Sequence, residues 1–202
     1  MVPLMKKLFP FSRKMPLWVA QIMMALALVP LSSLQAHADQ GSARAVATEV
    51  MMAFGKSQAQ VLSNVLYYPA HYAQGELQAN QHAMQLLFGF FFQKAGEVSA
   101  VKPCTKEPEL SRFWFDGGDK ADWVKAEKPK ATTEVCYQAH FSHLGDGYVI
   151  VSLLELVNNG QAQWFPYRVT YGVPKDSPKD KAKIDQLSKD AAAFIRAKLG
   201  GK

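Results

Sequence analysis

The sequence predicts an α+β domain in which amino-terminal helices pack in the concave face of a curved antiparallel sheet, with one more helix at the carboxyl end. Three observations carry this. Apolar residues recur at helical spacing from Ser42 to Ala95 and again after Ser177. Between Val98 and Val173 the pattern instead alternates, or runs apolar, between turn signals such as Asn158-Asn159-Gly160. A helix from Glu76 to about Ala95 carries a polar strip of Gln78, His82, Gln85, Gly89 and Gln93 opposite a broad apolar surface of Leu77, Met84, Leu86, Leu87, Phe88, Phe90 and Phe91. A helix that apolar must be enclosed, and a curved sheet encloses it.

The helices follow in order. Val46, Val50 and Phe54, with Ala47 and Met51 beside them, form the stripe of a first helix over Ser42–Phe54. Gly55 and Ser57 break it, and Ser57 is placed to cap a short second helix carrying Val61, Leu62, Val65 and Leu66, which Pro69 stops. The third helix ends at Gly96. After the sheet, Ser177 caps a last helix with Pro178 in its first turn and Asp180 near its positive end. Its buried stripe is Ile184, Leu187, Ala191, Phe194, Ile195 and Leu199.

Strands are expected at Val98–Val101, at Phe113-Trp114-Phe115 and at Ala121–Val124, the last two flanking the turn Asp116-Gly117-Gly118-Asp119. Val135, Tyr137, Ala139 and Phe141 alternate with Glu134, Cys136, Gln138 and His140, the mark of a half-buried strand ending at His143. Tyr148–Val157 is apolar at both parities, as a central strand is, and Phe165, Tyr167, Val169 and Tyr171 share one face of its partner.

Residues 1–38 read as a cleaved signal peptide and 39–202 as a single domain. Lys6, Lys7, Arg13 and Lys14 precede an apolar run from Leu17 to Leu31, and Ala36-His37-Ala38 supplies the small residues of a cut at Ala38/Asp39. The destination is periplasmic or secreted, with no membrane span once the signal is gone. Those four basic residues account for most of the imbalance between 23 Lys and Arg and 17 Asp and Glu, so the domain lacks the clustered cations of a nucleic-acid binder. Cys104 and Cys136 are the only thiols, and in an exported chain an even count without metal-type spacing reads as one structural disulfide.

Helices first, then long antiparallel strands ending in Trp164-Phe165-Pro166-Tyr167-Arg168-Val169-Thr170-Tyr171-Gly172, resemble the nuclear-transport-factor-2-like superfamily, which includes the SnoaL-like proteins. Met52-Ala53-Phe54-Gly55-Lys56-Ser57 stands at the place of its first-helix break, Leu66-Tyr67-Tyr68-Pro69 resembles the close of its second helix, and Gly75–Gly96 resembles its third. The resemblance spans about Ala43–Val173 and implies a cone-shaped cavity. The Cys104–Cys136 insertion and the terminal helix depart from the pattern. Members include isomerases, dehydratases and cyclases that place an Asp, His or Tyr in the cone, and many that catalyse nothing.

Few residues offer chemistry. His143 with Asp146 is the best acid/base pair, although a histidine beside the Gly145-Asp146-Gly147 turn explains both. His82 falls on the polar strip of its helix, and His140 and His143 project to opposite faces of a strand, which argues against a metal site. Asp116, Asp119 and Asp122 lack the spacing of a calcium loop. No phosphate loop, nucleophile elbow or dinucleotide fingerprint is present, and no cofactor is expected. Tyr67, Tyr68, His71 and Tyr72 form an aromatic cluster able to grip an apolar ligand by stacking and by hydroxyl hydrogen bonds. The expected function is therefore non-catalytic binding of a small apolar ligand or an envelope protein, with a homodimer through the sheet as a further partner. The alternative is an enzyme using a cavity Asp, His or Tyr for proton transfer.

Overall fold

A computed structural model describes residues 43–106, 108–115 and 122–200, all within one compact unit. The signal peptide and its cut, and the turn Asp116-Gly117-Gly118-Asp119, lie outside the described residues. The fold is α+β. In chain order the described elements are α1 (Ala43–Gly55), α2 (Ala59–Val65), α3 (Gln74–Ala95), β1 (Val98–Pro103), β2 (Leu110–Trp114), α4 (Asp122–Ala126), β3 (Ala131–Phe141), β4 (Gly145–Asn158), β5 (Gln161–Pro174) and α5 (Pro178–Leu199). Among the described residues no helix is long and apolar enough to cross a membrane.

The strands make one antiparallel sheet in the order β1-β3-β4-β5-β2. Because β1 and β2 occupy opposite edges, the connection 104–109 must cross a face of the sheet. The disulfide Cys104–Cys136 ties that connection to β3, and the Cys104 N–H donates to the Cys136 carbonyl at 3.0 Å. Cys136 shares a face with Gln138 and His140, away from buried Tyr137, Ala139 and Phe141.

The core face carries Phe141, Val149, Val151, Leu153, Val169, Tyr171 and Val173 against Val50, Phe54 and Phe91 from α1 and α3. Phe91 is central to it, its ring centroid 5.1 Å from Phe115 and 5.2 Å from Tyr171. The opposite face is closed by side chains. Arg112 on β2 reaches over β5 and β4 to make two 2.9 Å bonds to the Glu134 carboxylate on β3, and Trp114 lies under the Arg112 and Arg168 guanidinium groups. Ile150 and Leu154 are buried there, which is why β4 is apolar at both parities.

Four expectations need correction. Ser57 does not cap α2; it takes a left-handed φ of 53° and Gln58 precedes the helix without a side-chain cap. Of the strand expected over Ala121–Val124, the described residues 122–124 belong instead to the short helix α4, whose turn closes with the Glu127 N–H on the Trp123 carbonyl at 3.3 Å; so short an apolar run fits either element. β3 ends at Phe141, and His143 sits in the turn that follows. Phe165 does not share a face with Val169 and Tyr171, because the register jumps from Ser152↔Arg168 to Leu153↔Pro166 and leaves Tyr167 as an extra residue. That bulge reverses parity, so Trp164 packs against the core instead of Phe165.

The α3 reading holds over its second half. Phe88, Phe90, Phe91, Phe92 and Ala95 are buried, the strip Gln78, His82, Gln85, Gly89 and Gln93 is exposed, and Gly96 (φ 77°) stops the helix. Earlier, Leu77, Met84 and Leu87 are only half-buried. The β4–β5 turn is a two-residue loop, Asn159 (φ 52°) and Gly160 (φ 78°), as a tight hairpin with right-handed twist requires. On α5, Ser177 Oγ accepts the Asp180 N–H, and Ile184, Leu187 and Ala191 are buried. Leu199, expected in that stripe, is 46% exposed, because the helix runs past the surface it packs on.

Candidate functional site

The half-buried part of α3 opens onto a groove of about 560 Å³. Ala83, Met84 and Leu87 of α3 form one wall, and Ala191, Ala192 and Ile195 of α5 form another. With Asn80 and Ser188, which also line the groove, spacings of three, four and seven put each set on one helix face, and the alanines leave the room. Phe113 and Phe115 line it as well, both fully part of the aromatic core. The remaining wall is the corner between α2 and α3, with Tyr67, Tyr68 and Tyr72, together with Trp123 and Tyr167.

That corner is fixed by its polar groups. The Tyr67 N–H donates to the Pro166 carbonyl at 2.6 Å, and its hydroxyl donates to Glu127 Oε2 at 2.7 Å. The other Glu127 oxygen accepts the Ala70 N–H at 3.3 Å. One nearly buried carboxylate thus staples the corner to the segment after α4. The Tyr67 ring stacks on Trp123 at 6.1 Å and meets Phe165 at 5.6 Å, while Trp123 stands edge-on to Tyr167 at 5.8 Å. The Tyr68 hydroxyl donates to the Ser63 carbonyl at 2.9 Å.

These bonds decide the chemistry on offer. Burial, with help from the hydrogen bond and charge of Glu127, pushes the Tyr67 hydroxyl up to about 12, and burial pushes Tyr68 higher still. Both stay neutral and both have spent their hydroxyl proton on the protein. Ring faces are what they present to the groove. The expected hydroxyl grip on a ligand is therefore corrected for Tyr67 and Tyr68. Of the four-residue cluster, Tyr67, Tyr68 and Tyr72 line the groove and His71 does not: it is exposed, with its ring edge-on to Tyr72 and Nδ1 3.9 Å from Glu127 Oε1.

The pair expected from His143 and Asp146 does not form. The β3–β4 register sets Asp146 opposite His140, and His140 Nδ1 lies 2.7 Å from Asp146 Oδ1. His143 is exposed in the turn, its N–H bonded to the Ala95 carbonyl. Neither residue lines the groove. The sequence reading also missed Tyr167 and the α5 wall. The signal for α5 was present, since Ala191 and Ile195 were already assigned to its apolar stripe.

Comparison with protein-family models, with curated proteins and with solved structures finds no match.

Proposed function

We propose that the chain is exported by its amino-terminal signal peptide and acts outside the cytoplasm as a non-catalytic binding domain for a small apolar molecule. The groove holds the ligand. One observation carries this reading: about 560 Å³ of space walled mostly by aliphatic and aromatic side chains, with Asn80 and Ser188 the polar exceptions, and with the hydroxyls of Tyr67 and Tyr68 already bonded within the protein. Binding there removes apolar surface from water, worth about 25 cal/mol per Å², and leaves the Tyr67 and Tyr68 hydroxyls on their own partners. The enzyme alternative needs a titratable group poised for proton transfer, and raised tyrosine pKa values work against it. A nuclear-transport-factor-2-like cone, with helices inside a curved sheet, is part of the same proposal. The shared core of α1, α3 and one sheet face supports it.

Titration with N-phenyl-1-naphthylamine, a neutral fluorophore, tests the reading. A saturable rise in emission is expected, lost in Ala83→Trp, which fills the groove, while the melting temperature of that variant stays near wild type. A linear, unsaturable rise, or saturation unchanged by Ala83→Trp, refutes the groove as the site. For export, the periplasmic protein is expected to begin at Asp39 by intact mass, and a chain retaining residues 1–38 refutes cleavage.

A further inference from the structure

On the face of the sheet opposite the aromatic core, three residues stand in one row across three strands. Register pairs Ser99 of β1 with His140 of β3, and His140 with Asp146 of β4. Side chains of directly paired residues leave the sheet on the same face with Cβ atoms about 5 Å apart. The order is nucleophile, base, carboxylate. His140 Nδ1 lies 2.7 Å from Asp146 Oδ1, and a carboxylate can only accept, so in the neutral ring the proton sits on Nδ1 and Nε2 carries the lone pair, on the far side of the ring from Asp146. Ser99 lies on that side, since β3 runs between β1 and β4.

The backbone after Ser99 is irregular in a useful way. The β1–β3 ladder jumps from Ser99↔His140 to Lys102↔Gln138, which leaves Ala100 and Val101 out of register, and Ala100 takes φ 51°. A left-handed alanine costs energy, and such outliers concentrate at functional sites. The irregularity follows directly on Ser99, and a residue in the left-handed region can turn successive N–H groups toward one point, the nest geometry that holds anions.

We propose that Ser99, His140 and Asp146 form a nucleophilic site for small activated acyl esters, separate from the groove. Ser99 Oγ adds to the acyl carbon as its proton passes to His140 Nε2, and the oxyanion is received by the amides of Ala100 and Val101. The intermediate collapses with cleavage of the bond to the leaving alkoxide, which takes the proton from Nε2. Water then repeats the sequence at the acyl-serine, releasing the carboxylic acid and restoring the hydroxyl. Asp146 is a positioning residue that holds the tautomer of His140. Ser99, His140 and Asp146 are all exposed, which suits short acyl groups and leaves long chains without a binding wall.

The test is labelling of the full-length protein with a fluorophosphonate, which transfers phosphorus to an activated serine with loss of fluoride, followed by peptide mass spectrometry. An adduct on Ser99 is expected. General-base assistance is worth about a hundredfold or more, so His140→Gln should slow labelling by that factor. Asp146→Ala should slow it less and Asp146→Glu should restore it, a rescue that a merely structural role would not give. All three positions are exposed, so melting temperatures stay near wild type and separate misfolding from lost chemistry. No adduct on Ser99, or equal labelling of His140→Gln, overturns the proposal. Ala83→Trp should label like wild type; loss there assigns the reaction to the groove and also overturns it.

Discussion

Replacing Cys104 with serine removes the one covalent tie on the connection that crosses the sheet. The bridge closes a loop between residues 32 apart in sequence. In the chain-entropy treatment a loop of that length restricts the unfolded chain by about 3.7 kcal/mol at 25 °C. Each kcal/mol moves the melting temperature of a domain this size by roughly 2–4 °C, so the loss should be roughly 7–15 °C. Thermal unfolding followed by circular dichroism reads it directly. Cys136→Ser and the double variant should match the single, because all three lack the same bond and the effects of one interaction are not additive. Binding of N-phenyl-1-naphthylamine should survive at temperatures where the variant is folded. The strand that supplies Phe113 and Trp114 to the groove is held by its own ladder to β5, from Leu110↔Pro174 to Trp114↔Thr170, and not by the disulfide. A melting temperature within about 2 °C of wild type would refute the loop argument. Loss of fluorophore binding at intact stability would refute the separation of the bridge from the site.

Phe91→Ala should cost about 3–5 kcal/mol in urea unfolding, since Phe91 is fully buried and its ring meets those of Phe54, Phe113, Phe115, Phe141 and Tyr171; Met52→Ala, at 56% exposure, should cost under about 0.5. Hydrogen bonding from Ser177 is the main cause holding the Asp180 carboxyl below its usual range, with Lys183 adding to it. That contribution is present above the ordinary carboxylate pKa and lost as pH falls through the depressed one, so carboxyl NMR of Ser177→Ala should show Asp180 titrating higher and a weaker acid dependence of stability. At the other end of the scale, Tyr67 ionises in the unfolded chain near its usual value of 10.0 but in the fold only at about 12, so stability should fall as pH rises between the two, and Tyr67→Phe should flatten that decline.

Local signals accounted for most of the architecture. Helix boundaries at Gly96 and Ser177 follow from backbone freedom and capping, and the Asn159-Gly160 hairpin follows from the need for two positive φ values. Failures came where a neighbour decides the outcome. Two adjacent apolar residues, Trp123 and Val124, fit a strand or a helical turn equally well, and it is their contacts with Tyr67 and Tyr167, distant in sequence, that fix the turn in place. On β5, period-two counting from Val169 back to Phe165 ignored Pro166, which cannot donate to a ladder and is itself a warning of a bulge. The single extra residue moved Phe165 to the other face and brought it against Tyr67 at the groove corner.

The same distinction separates the two sites. The groove was half legible because aromatic density at Leu66–Tyr72 is a local property, whereas its second wall exists only because α5 returns to pack beside β2 and α3. The row of Ser99, His140 and Asp146 was not legible by parity, which assigns a face but not a partner. Register supplies the partner, and the short turn 142–144 could have set it: Phe141 opposite Gly145 forces His140 opposite Asp146. Pairing His143 with Asp146 by closeness in sequence was the wrong metric, because two residues on either side of a turn diverge while residues equally distant from it meet. The bulge at Ala100 then matters for the same reason as the bulge at Tyr167. In each case one residue out of step changes what a strand presents, and the proposed chemistry of Ser99 stands or falls on where that step leaves two backbone amides.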